Sequence, residues 1–240
     1  MNSPNWINKK EFGKFYIEQL EDTPRIALLT LNDHENRFNN GNIESLNQLL
    51  DYVENNNEIG ILITTSTDPK HYSLDNSNKD NFLKLLYDMS IFFERFLTLP
   101  IVTISCINGH SFGGGAFFSL VHDFRVMNMS KGFFCVNAIQ NKVPLPPGLI
   151  SIAKEKISDP STLRNFLLLG QRFGGTDAEK FKLVDKACSN YLEESITLAK
   201  SIDSKDRLTY GSLKTEIYKS LSESLKDKDL GEAYKVQVIK

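Results

Sequence analysis

Cysteine is scarce in this chain, three in 240 residues, and the three (Cys106, Cys135 and Cys188) are widely spaced with no CxxC among them. Such a set gives neither a disulfide framework nor a zinc pattern, and His34, His71, His110 and His122 add no metal-like spacing, so reduced thiols and no metal are expected. No apolar run approaches the roughly 20 residues that a membrane helix needs, which argues against a membrane span. An excess of charge of one sign is also missing. Lys and Arg number 28 against 30 Asp and Glu, a formal net charge of −2, which argues against nucleic acid or an anionic membrane as partner. The opening MNSPNWINKKEFGK is too polar for a signal peptide. The closing YKVQVIK is not a Ser-Lys-Leu address, which leaves the cytosol as the default. No repeat at a fixed period is found.

What is present is an ordinary globular composition, 40% hydrophobic and 24% charged, long enough to build a core without staples. KFYIEQL (14–20) and RIALLTL (25–31) read as strands around the turn residues Asp22, Thr23 and Pro24. NIESLNQLLDYVENN carries Ile43, Leu46, Leu49, Leu50 and Val53 at helical spacing, with Asn42 and Ser45 as starts and Asn55 to Asn57 as a stop. IGILITT (59–65) and LPIVTISCING are continuous apolar runs of the kind a parallel sheet buries on both faces. Between them a polar loop, STDPKHYSLDNSNKD, precedes a helix over about 81–97. FRVMNMS and FFCVNAI (133–139) read as further strands, and beyond about Ser161 the chain reads as helical. Helices follow strands throughout, which predicts an α/β layout of stacked parallel strands.

Three consecutive glycines, Gly113 to Gly115, stand between a strand and the helix AFFSLVHD. Each costs a helix about 1 kcal/mol relative to alanine. Two readings are open. Glycines let a ligand carbonyl or anion approach the N–H groups and dipole of a helix start, or they let the helix pack tightly against the strand. The stretch is no phosphate loop, since no GK[ST] follows, and no G-x-G-x-x-G dinucleotide fingerprint. In a parallel sheet the loops after IGILITT and after LPIVTISCING emerge on one side and can share a crevice.

LPIVTISCINGHSFGGGAFFSLVHDFRV resembles the core of the crotonase superfamily, the enoyl-CoA hydratase and isomerase group. Three further segments, RIALLTLNDHENRFN, IGILITTSTDPKHYSLDNSN and FFCVNAIQNKVPLPPGL, support the resemblance, which covers about residues 12–190. The nearest subgroup is the short Δ3,Δ2-enoyl-CoA isomerases. The resemblance implies an α/β crotonase-like spiral of repeated ββα turns. It divides the chain into a core with the thioester site (1–190) and a C-terminal helical region (191–240) that makes homotrimer contacts. It implies an acyl-CoA thioester as ligand, with coenzyme A part of the substrate and no separate cofactor, and a cytoplasmic or peroxisomal place in fatty-acid β-oxidation. Backbone N–H groups of Gly114 and Asn76 are implied to form an oxyanion hole for the thioester carbonyl. Arg37, Ser73, Leu74, Asp75, Phe112, Gly113 and Asn137 are implied to line the substrate, with Arg37 toward the coenzyme A phosphates or ribose.

The chain departs from that pattern at the chemistry. The proton-shuttling glutamate of the isomerases falls on Ala138, and a hydratase glutamate falls on Phe117. Asp75 replaces a glycine and Ser77 an aspartate in the oxyanion loop, and Lys142 stands where a glycine is expected. The expectation is an isomerase-type protein that binds acyl-CoA with weak or no turnover. Its alternatives are a non-catalytic binding or scaffold protein, another crotonase chemistry such as thioester hydrolysis, or a substitute acid among Asp75, Asp80 and Glu94. His110 and His122 are read as helix-terminus and packing residues, and Ser73, lacking a G-x-S-x-G context, as a loop hydroxyl.

Overall fold

A computed structural model describes residues 4–73, 82–202 and 205–231. Its elements in chain order are β1 (Trp6–Phe12), β2 (Phe15–Leu20), β3 (Thr23–Leu31), α1 (Asn40–Asn55), β4 (Ile61–Ser66), β5 (His71–Ser73), α2 (Phe82–Leu97), β6 (Val102–Ile107), β7 (His110–Phe112), α3 (Gly114–Val121), β8 (Phe124–Asn128) and β9 (Phe134–Cys135). There follow α4 (Pro147–Lys156), α5 (Pro160–Leu167), α6 (Gly175–Lys180), β10 (Lys186–Cys188), α7 (Tyr191–Ile202), α8 (Arg207–Ile217) and α9 (Lys219–Lys226).

Seven strands form one sheet in the order β1-β2-β3-β4-β6-β8-β10. The pairings from β3 onward are parallel, as the continuous apolar runs predict. Alternation along each strand splits the side chains between two cores. Ile26, Leu28, Ile61, Ile63, Val102, Ile104 and Cys106 face α7, against Ile196 and Ala199. Ala27, Leu29, Leu62 and Ile107 face the larger core with α1, α2 and α3. Polar residues on that inner face find partners in the next layer. The Ser105 hydroxyl donates to the Tyr72 hydroxyl at 3.0 Å, and Asp123 accepts from the Thr103 N–H at 2.8 Å and its hydroxyl at 3.1 Å.

A second, three-stranded parallel sheet, β5-β7-β9, is built from the corner after each turn of chain. The corners stack backbone on backbone. A Cβ on Gly109 would lie 2.2 Å from the Lys70 carbonyl oxygen, and one on Gly132 would lie 2.3 Å from the Gly109 carbonyl carbon. Glycine is therefore required at both, and Gly132 also has φ +87.

Several expectations need correction. The strand expected over 133–139 is only Phe134–Cys135. Its partner β7 ends at Phe112 as the chain turns into α3, so the ladder stops, and local bonds from Asn141 N–H to Asn137 O (3.1 Å) and Val143 N–H to Ala138 O (3.0 Å) curl the chain instead. The helix α1 is capped by Asn39, which accepts from the Asn42 N–H, rather than starting at Asn42 or Ser45. The stretch after Ser161 is not all helix, because β10 adds a parallel edge to β8. β1 is an extra antiparallel edge whose exposed Lys9, Lys10 and Glu11 suit an outer strand.

Candidate active site

The glycine corner has a separate reason at each position. Gly113, before α3, sits at φ 54 and ψ −116, a backbone region that strains any side-chain-bearing residue. Its N–H donates to the Cys135 carbonyl at 2.9 Å, joining the corner to β9. Gly114 opens α3, where a Cβ would lie 3.0 Å from the Phe38 ring and 3.3 Å from the Met89 sulfur. Gly115 lies on the backbone of β5, where a Cβ would lie 2.2 Å from the Ser73 carbonyl oxygen. Tight packing thus accounts for Gly115 and backbone angle for Gly113. The same contact brings the end of β5 and the start of α3 to one place, with the positive end of the α3 dipole directed there.

Ser73 is 1% exposed and its hydroxyl donates to the Asn36 carbonyl at 2.8 Å, so its side chain is a strut and not a ligand-facing group. Leu74, Asp75 and Asn76, as well as Ser77 and Asp80, lie outside the described residues. Asn36 was not singled out in the sequence, yet it orders this corner. It donates to the Ser66 hydroxyl at 2.7 Å and the Tyr72 carbonyl at 3.0 Å, and accepts from the Asp33 N–H at 2.8 Å. Its φ of 51 marks a turn position that asparagine tolerates. Through it the loop carrying Arg37 is fastened beside Ser73. Arg37 itself pairs with Glu35 at 2.6 Å.

The stretch after β9 carries the other candidate positions. Ala138 is 9% exposed and lines an open hollow of about 380 Å³ together with Ile139, Lys142, Val143 and Pro144. The neighbouring Asn137 holds a buried Oδ1 without a hydrogen-bond partner among the described residues. Lys142 has φ 56 and is exposed, and the Ile139 carbonyl accepts from its N–H at 3.3 Å. The two positions where the resemblance implies a glutamate are Ala138 and Phe117, and Phe117 is 1% exposed in the core.

Phe112 is half-buried, with the Arg172 guanidinium 5.6 Å above its ring and the His110 ring 5.1 Å away. Arg172 had no sequence signal, since only the fold carries it to β7. His110 lies in β7 and not at a helix terminus. Its Nδ1 accepts from the Phe133 N–H at 3.2 Å, and burial, with the charges of His71, Lys70 and Arg172, lowers its pKa. His122 is the α3 C-cap and wholly buried. Its Nδ1 lies 2.7 Å from the Phe118 carbonyl, which can only accept, so Nδ1 carries the proton and Nε2 accepts from the Thr64 hydroxyl at 3.0 Å. Burial pushes its pKa down to about 3, so it is a neutral packing residue. Among the described residues no group of three or more His, Cys, Asp or Glu could hold a metal ion, and no helix is long and apolar enough to cross a membrane.

Comparison with known proteins agrees with this architecture. The profile of the family described as enoyl-CoA hydratase/isomerase matches residues 21–234. The curated "Enoyl-CoA delta isomerase 2, peroxisomal" of Arabidopsis thaliana is 26% identical over 219 residues, covering 86% of this chain and 90% of that protein. "Enoyl-CoA delta isomerase 3" of the same plant is 25% identical, covering 84% of this chain and 92% of its own length. The crystal structure of an enoyl-CoA hydratase from Mycobacterium marinum superposes with a TM-score of 0.80 at 16% identity, covering 91% of this chain and 100% of that one, a likeness of fold alone.

Proposed function

Because the chain belongs to the enoyl-CoA hydratase/isomerase family, we propose that it binds acyl-CoA thioesters where α3 starts, as a protein of Δ3,Δ2-enoyl-CoA isomerase descent. The observation that carries the reading is the backbone contact of Ser73 with Gly115, which supports two loops converging on one ligand atom. In this reading the N–H groups of Gly114 and Asn76 polarise the thioester carbonyl. Polarisation acidifies the α-carbon and stabilises the enolate oxyanion, and one donor of this kind is worth about 3–4 kcal/mol in the transition state. Arg37, Phe112 and Asn137 flank the ligand, and coenzyme A arrives as part of the substrate.

Position 138 is where the proton would move between C2 and C4, and an alanine methyl has no proton to transfer. The chain therefore binds without appreciable isomerisation. Relief of that block has room to act, since Ala138 borders a hollow of about 380 Å³. In a 3-enoyl-CoA isomerisation assay the native chain shows little turnover, and Ala138→Glu raises kcat by about 10²–10⁴-fold, the range for one positioned acid or base. Fast turnover by the native chain overturns the assignment of 138. Saturation with acyl-CoA at about 100 times its Kd adds about 2.7 kcal/mol of stability, and no thermal shift with any acyl-CoA overturns the ligand. Shifts without turnover in either form favour the non-catalytic binding reading, and release of free coenzyme A favours thioester hydrolysis.

The division into a site-bearing core (1–190) and a C-terminal helical region (191–240) belongs to the same proposal, with a homotrimer as the assembly. The apolar side chains that α8 exposes, Leu208, Leu213 and Ile217, support a covered face there. A cytoplasmic or peroxisomal place is proposed, since two of the curated relatives are named as peroxisomal.

A further inference from the structure

We propose that the hollow beside Ala138 is a subsite for an anionic chain end, so that the acyl group this protein takes carries a terminal carboxylate held by Lys142. This rests on the acyl-thioester reading above and names the class of acyl chain within it. The lining is apolar at four positions, Ala138, Ile139, Val143 and Pro144, and cationic at one, Lys142. Lys142 is the only charged residue in the stretch 137–144. Its ammonium makes no hydrogen bond or ion pair among the described residues, so its charge is not spent on holding the fold.

The backbone makes that lysine costly. Lys142 has φ 56, a left-handed conformation that strains a non-glycine residue. The turn itself is set by main-chain bonds, Lys142 N–H to Ile139 O at 3.3 Å and Val143 N–H to Ala138 O at 3.0 Å, which a glycine would make equally well. What the lysine adds is a positive charge at the rim of an apolar hollow. The ligand complementary to an apolar wall with one cation is an apolar stem ending in an anion. An uncharged chain leaves the ammonium unused, and a cationic one is repelled.

The proposal is tested by titrating the full chain at low ionic strength with adipyl-CoA and hexanoyl-CoA, which share a six-carbon acyl chain and differ in the terminal carboxylate. Adipyl-CoA binds about fivefold more tightly, as a partly solvated ion pair worth about 1 kcal/mol requires. The preference shrinks as salt is added and disappears in Lys142→Gly and Lys142→Met. The glycine variant relieves the backbone, which keeps a folding defect from imitating the result. Equal or tighter binding of hexanoyl-CoA, or a preference that survives both variants, overturns the subsite while leaving the acyl-thioester reading intact. Binding of neither thioester overturns both.

Discussion

Gly115 and Gly174 are the same residue type under opposite constraints. A Cβ at Gly115 would fall 2.2 Å from a backbone oxygen of β5, whereas one at Gly174 would meet nothing within 4 Å among the described residues. Backbone on both sides of the first contact cannot swing away as a long side chain can. Gly115→Ala is therefore expected to cost about 2–4 kcal/mol, and Gly174→Ala to stay within about 0.5 kcal/mol, in urea denaturation with unchanged m. Equal effects at the two positions would refute the packing account. The sequence made it legible that glycines were demanded at 113–115, but not why. The cause at Gly115 is Ser73, 42 positions away in the chain, and no local pattern encodes that contact. Ala138 was legible only as a departure from what the resemblance implies, because the identity of one residue can be read without the fold. Asn36 and Arg172 were not, because their roles exist only once distant strands meet.

Long elements announced themselves and short ones did not. The helix α1, the helix α2 and the strands β4 and β6 carry enough consecutive apolar residues for a period to be read. The three-residue strands β5, β7 and β10 carry none, and they stand where the backbone changes direction. Attachment of one element to another was equally hidden. Arg207, at the start of α8, donates to the carbonyls of Asn56 (2.6 Å), Ile59 (2.8 Å), Val53 (3.3 Å) and Glu54 (3.1 Å). Three of these belong to the end of α1, where carbonyls lack helical partners and the dipole is negative. Arg207→Ala should destabilise the fold by about 2–3 kcal/mol. Arg207→Lys should recover less than half of that, because an ammonium lacks the planar fork. Equilibrium unfolding of both variants checks this, and full recovery by lysine would show that charge alone matters.

Across the whole molecule, the C-terminal helix α8 is tied to earlier elements through buried charged groups. Lys214 pairs with Asp123 at 3.1 Å, with both side chains under 10% exposed. Lys156 donates to the Tyr218 hydroxyl at 2.7 Å. Burial pushes the Lys156 amine down to about 7, with Arg125 and Lys214 repelling its charge and Asp123 and Glu155 opposing that shift. The unfolded chain keeps this proton up to about 10.5, so between about 7 and 10.5 it binds more protons than the folded one. Stability then rises with pH across that window, and below it the full cost of burying the charge is felt. The melting temperature should climb between pH 7 and 9, and Lys156→Met should flatten that rise and lift the melting temperature at pH 7. A slope unchanged by the substitution would place its origin elsewhere. The stacked corners at Lys70, Gly109 and Gly132 have a consequence of another kind. Where main chain rests on main chain, the spacing of the layers is set by peptide dimensions common to every sequence. A frame of this sort lets mutation exchange the groups around its cleft without moving the walls. Chemistry on such a frame can drift faster than shape, which is why 16% identity to the mycobacterial hydratase still leaves the two chains superimposable.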